Sequence, residues 1–215
     1  MGCGIGQDCV SVTSDIVMGV LTGAGITLNA SSLAGVLKGF ALFPILIVIA
    51  NLGVVVFVKS PVSDQLIKAL PVPIDKVPAL VIVLLVLMAV SSGVFVIVGL
   101  NLLSGGYDNS HPRKLKGPAL AECYPALFRL QSAHNNTFEC LAMVTACFWA
   151  ATTHPLEQVL FAKLAFVILV SRIMYVIAYV LDEDVLRTGF FVCAITAIAD
   201  IGGGAIFPDM LAKYA

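Results

Sequence analysis

The run VPALVIVLLVLMAVSSGVFVIVGLNLL, Val77 to Leu103, holds no charged side chain from end to end. A helix rises about 1.5 Å per residue, so about 20 such residues cross the ~30 Å of hydrocarbon in a bilayer. Inside lipid every backbone N–H and C=O must be satisfied within the protein, which leaves only helices or closed barrels. Barrel strands would run to about 10 residues with strict alternation, a pattern this chain lacks. Four further apolar segments of spanning length follow the same logic, at about 39–58, 126–153, 156–181 and 186–210. The fold class is therefore all-α integral membrane, multi-pass, with five expected spans.

Composition agrees. Hydrophobic residues make up 60% of the 215 and charged residues 12%, against roughly 25% charged in a soluble domain. A formal net charge of −1 gives no global attraction to nucleic acid. Six cysteines are present, with no Cys-x-x-Cys pair and no metal-ligand spacing, so they read as free thiols and no metal is expected. The first cation is Lys38, which argues against a basic secretory n-region or an Arg-rich transit peptide. Gly2-Cys3 suggests acylation, but Gly6 stands where myristoylation wants Ser or Thr. Residues 1–37 read as a Gly/Ser-rich segment, 38–76 as one transmembrane helix with its linker, and 77–215 as a four-helix membrane domain.

Two connections, around THP at 153–155 and DEDV at 182–185, are short enough to force antiparallel neighbours. The connection at 103–126 is longer and carries Arg113, Lys114 and Lys116. It shares a membrane side with the 182–186 turn. Cations divide almost evenly between the two sides, so the positive-inside rule does not fix orientation. An endoplasmic reticulum, plastid or bacterial inner membrane would each suit the chain.

The third span opens with a polar cluster, FRLQSAHNNTFECL. Ionisable groups within a span usually face a bundle interior or a wet cavity. With Arg129 at the interface, Asn136 lies about 10 Å and Glu139 about 15 Å deep. Counted inward from Asp182, Tyr179, Tyr175 and Arg172 reach about 5, 10 and 15 Å. Arg129, Asn136 and Glu139 share one helix face, and Arg172, Tyr175 and Tyr179 another. The expectation is a polar cleft floored by a Glu139–Arg172 ion pair, with Arg187 at its mouth. His134 falls off the first face, toward another helix or subunit. Asp200, deep in the fifth span, is a rival partner for Arg172.

The motifs YDNSHPR (Tyr107–Arg113), RLQSAHNNTFE (Arg129–Glu139) and RIMYVIAYVLDEDVLR (Arg172–Arg187) resemble those of the MAPEG family. These are the membrane-associated proteins of eicosanoid and glutathione metabolism, and the loop motif is similar to their bacterial, algal and plant branch. The resemblance covers about residues 78–212 and leaves 1–76 outside. It implies a four-helix bundle, here preceded by one additional span, assembled as a homotrimer with glutathione between subunits. Arg129, His134, Asn136, Glu139, Arg172, Tyr175 and Tyr179 would then bind the tripeptide. Arg187, with Tyr179, would stabilise its thiolate for attack on a lipophilic electrophile. Arginines suit the carboxylates of glutathione and a glutamate suits its ammonium.

Departures are also legible. Ala142 and Val144 stand where the family often has Pro and Phe, and Ser132 stands where some synthases have Arg. The alternative reading is a non-catalytic accessory subunit of a larger membrane complex, reached through the extra helix. The Gly-rich pieces Gly23–Gly25 and Gly202–Gly204 lack the strand-to-helix setting of a phosphate loop and read as turn or packing glycines.

Overall fold

A computed structural model describes the backbone of residues 30–104 and 118–215, with side chains for 44–102 and 120–215. The loop motif at 107–113, the Gly23–Gly25 stretch and the reading of 1–29 lie outside the described residues. The chain divides into two compact units, Met1–Ile45 and Leu46–Ala215. Every contact below lies within the second.

The described residues form seven α-helices and no strand: α1 Ala30–Lys59, α2 Pro61–Lys68, α3 Val77–Ser104, α4 Pro118–Cys123, α5 Pro125–Thr153, α6 Gln158–Val180 and α7 Asp184–Ile206. A 3-10 turn, Ile74–Lys76, leads into α3, and a 3-10 segment, Pro208–Tyr214, closes the chain. Five long helices thus occupy the five apolar segments. Three of them are long and apolar enough to cross a membrane, and α1 with α2, bent by 65° between them, makes a fourth candidate. Helix α5 has the length, at 29 residues, but the polar cluster in its first half dilutes its hydropathy.

Local chemistry sets the breaks. Pro61 has no N–H to continue α1, so Ser60 turns extended and caps α2. Its hydroxyl donates to Phe57 O at 2.7 Å and accepts from Ser63 N at 3.3 Å. The carboxylate of Glu157 accepts from the Val159 and Leu160 amides and so starts α6. At the other end of α6, Asp182 adopts φ 66°. Glu183 N there donates to Ala178 O and Asp182 N to Tyr179 O, the Schellman arrangement that turns the chain tightly into α7.

Helices α6 and α7 pack most closely, helped by Ala162, Ala165, Ala194 and Ala197, all fully buried. The core then gathers one face each of α3 (Val77, Val81, Leu85) and α5 (Cys140, Val144, Phe148). Val54 and Val58 of α1 and Ile67 of α2 join the same cluster, and Phe57 stacks on Phe166. Lys163, only 9% exposed, donates to Val58 O at 2.9 Å and pairs with Asp64 at 2.7 Å. The helix outside the resemblance is therefore stitched to α6.

A second stitch comes from the closing segment. Lys213 donates to Asp200 at 2.8 Å and to Asn51 at 3.2 Å, and Tyr214 Oη donates to Asp200 at 2.5 Å. Lys59 donates to Ala215 O at 2.8 Å. Gly203 and Gly204 leave room for Met210 and Leu211 to fold back, since a Cβ on Gly204 would meet Leu211 at 2.5 Å. Asp200 thus belongs to this strap and not to Arg172.

Candidate functional site

The hairpin α6–α7 builds a column of alternating guanidinium and aromatic groups. Arg172, Tyr175 and Tyr179 follow one another at helical spacing along α6, and the tight turn returns Arg187 beside them. The Arg172 guanidinium carbon lies 4.2 Å from the Tyr175 ring centre, and that of Arg187 lies 4.6 Å from the Tyr179 ring centre. The two tyrosine rings meet edge to face at 5.4 Å. Phe191 closes the column against Tyr175 at 6.1 Å. A ring quadrupole attracts a cation over its face, so this stacking holds both arginines without neutralising them.

Arg172 is 0% exposed. Its Nη2 donates to Thr137 Oγ1 at a long 3.4 Å, while Nε and Nη1 are buried with no partner. A buried guanidinium with two unmet donors is costly unless an anion completes it. A carboxylate would meet that demand, since a guanidinium edge and a carboxylate pair in two parallel hydrogen bonds.

The expected ion pair between Arg172 and Glu139 is not formed. Glu139 is exposed on the outer side of α5, and the buried stripe of that helix is Ala133, Thr137, Cys140, Val144, Phe148 and Ala151. The depth match holds to within a turn, because Thr137 meets Arg172. The rotation differs, because Thr137 and Cys140 face inward where Glu139 was expected. Asn136 is half-buried beside that stripe.

His134 stands apart from the column. Its Nδ1 lies 2.9 Å from Ala89 O and 3.1 Å from Ser92 Oγ on α3. Its ring packs edge to face on Phe138 at 5.0 Å. It locks two helices together here. Arg129 sits at the mouth, its Nη1 on Asp182 at 3.2 Å, which ties the start of α5 to the α6–α7 turn. Arg187 pairs with Asp184 at 2.6 Å. Thr137, Phe191 and Asp184 were not singled out from sequence, and Asp182 served there only to mark the interface. Only Asp184 left a readable signal, an acid three residues before an arginine on one helix face.

These features define a polytopic helical membrane protein whose α6–α7 hairpin carries a buried guanidinium with two unmet donors. The family model described as MAPEG family matches residues 77–207, well over half of the chain. The chain belongs to the MAPEG family. No curated protein and no solved structure matches it. The match begins where α3 begins and ends just past α7, so α1 and α2 precede the family core.

Proposed function

We propose that the protein is a membrane-bound, glutathione-dependent transferase or peroxidase acting on a lipophilic electrophile. The observation that carries this reading is Arg172, wholly buried with two donors that have no partner. Arg172 would take a carboxylate of the tripeptide, with Tyr175 beneath its guanidinium. Arg187 and Tyr179, nearer the mouth, would face the sulfur. A cysteine thiol titrates near 8.5 unperturbed, and a nearby guanidinium favours the thiolate. The thiol proton leaves to water at the mouth, and the sulfur attacks an electrophilic centre delivered from the bilayer, expelling its leaving group. On a hydroperoxide it breaks the O–O bond, so that the alcohol departs and a second glutathione releases the oxidised sulfur as a disulfide and water. Asn136 and Arg129 would complete the polar wall.

The outer face of α5 supports a homotrimer, with Glu139 completing a site between protomers. Phe138 and Trp149 stand 48% and 71% exposed there, and with Ala142, Thr145 and Ala146 they line one shallow concavity. A carboxylate facing lipid is expensive, and small residues between large ones let a second helix approach. A neighbouring protomer covers such a face.

Calorimetric titration of the detergent-solubilised protein with glutathione tests the reading. Saturable heat and a matching thermal shift are expected. No heat and no shift at millimolar glutathione would overturn it.

A further inference from the structure

We propose that Asp184 is a positioning residue for Arg187, which it holds in the ligand-free protein and for which it competes with the glutathione sulfur. The inference rests on the function proposed above. Asp184 opens α7, three residues before Arg187, and its Oδ1 lies 2.6 Å from the Arg187 Nη2. That guanidinium also lies over the Tyr179 ring. One face of Arg187 is therefore engaged by a ring and one edge by a carboxylate.

The contrast with Arg172 gives the arrangement its meaning. Both arginines lie over tyrosines of one column, yet only Arg187 carries a carboxylate partner among the described contacts. Arg172 has two donors without a partner, whereas one nitrogen of Arg187 is paired with a carboxylate. Other charged or titratable groups lie on the elements around it: Tyr179 from α6, Asp182 and Glu183 from the turn and Arg129 from α5, with Tyr175, Arg172 and Glu139 deeper. Asp182 is committed to Arg129. Asp184 is the one whose charge sits on the Arg187 nitrogen.

The Asp184 side chain is 77% exposed and that of Arg187 29%. Asp184 can swing into water as an anionic sulfur arrives, so the exchange needs no movement of helix backbone. While Asp184 remains close, its negative charge opposes a thiolate and raises the pH at which bound glutathione ionises. Removing that charge favours the thiolate. Asp184 thus sets how much of the Arg187 charge reaches the sulfur.

The test compares Asp184→Asn with Glu183→Gln, a neighbouring acid whose side chain caps nothing on α7. Thiolate absorbance of bound glutathione is titrated against pH, and phenylglyoxal modification of Arg187 is timed by mass spectrometry. Asp184→Asn is expected to lower the thiolate midpoint by about half a unit or more, the effect of removing one charge some 6 Å away in a wet site. It is also expected to speed modification of Arg187 several-fold, with smaller effects from Glu183→Gln. An unchanged midpoint in a variant that binds glutathione overturns the inference and leaves the function standing, and so do equal shifts in both variants. If the wild type binds no glutathione, the function fails, and the modification rate alone decides the role of Asp184: an unchanged rate overturns it. Asp184→Ser, which still suits a helix start, replaces the Asn variant should that one not fold.

Discussion

A single residue, Arg172, concentrates the conflict between stability and ligand binding. Leaving a buried polar group unmet costs about 1–3 kcal/mol, and more for a charged one. Arg172→Met removes two unmet donors while keeping much of the stem. The expected outcome is a thermal midpoint at or above that of the wild type, together with loss of glutathione heat. A variant that melts early yet still binds would reverse the assignment. The sequence pointed to Arg172 through its depth, because an arginine in a span is visible to counting. It could not show that Thr137, and not Glu139, stands opposite. Spacing gives the angle between residues on one helix but not the rotation of that helix within its bundle, and here Thr137 turns inward while Glu139 is exposed.

Among the elements, positions were legible and facing was not. Each long helix falls on an apolar run, since run length against bilayer thickness leaves little freedom. Which side of α3 faces inward was hidden, because Val83, Leu87 and Val90 on its exposed side are as apolar as Val81, Leu85 and Ala89 on its buried side. The contact of α3 with α5 turns instead on Gly93, where a Cβ would lie 2.7 Å from His134 Cε1. Gly93→Ala must displace that ring and break its bond to Ala89 O, at an expected cost of about 1–3 kcal/mol. Gly53 has nothing within 4 Å of such a Cβ, so Gly53→Ala is expected to be neutral or stabilising by up to about 1 kcal/mol. Equilibrium unfolding in detergent should separate the two, and equal effects would remove the His134 contact as the cause. Combined with His134→Ala, the Gly93 change should cost less than the sum of the two.

On the scale of the whole molecule, the closing strap binds α7 to α1 through Asp200, Lys213, Tyr214 and Asn51. Burial, and then the hydrogen bond to Asp200, push the Tyr214 phenol well above its usual 10.0. The folded state therefore favours the neutral phenol. Its contribution is fully present below pH 10.0 and is lost as pH rises beyond, because the unfolded chain ionises first. Tyr214→Phe should lose stability at neutral pH and show a flatter alkaline decline than the wild type. Parallel pH–stability curves would exclude Tyr214 as the group responsible. The strap was only half legible: Asp200 stood out as a charge in a span, but its partners lie in a segment too short and polar to announce where it folds.

Lys163 carries a consequence for how such a protein can change over time. Its ammonium sits inside a family helix, yet it is held by Val58 O and Asp64, both from the part of the chain that precedes the family core. A descendant that shed the leading helix would expose that lysine to lipid, and one that first replaced the lysine would loosen the helix it was about to shed. The appendage and the core are in this sense mutually hostage.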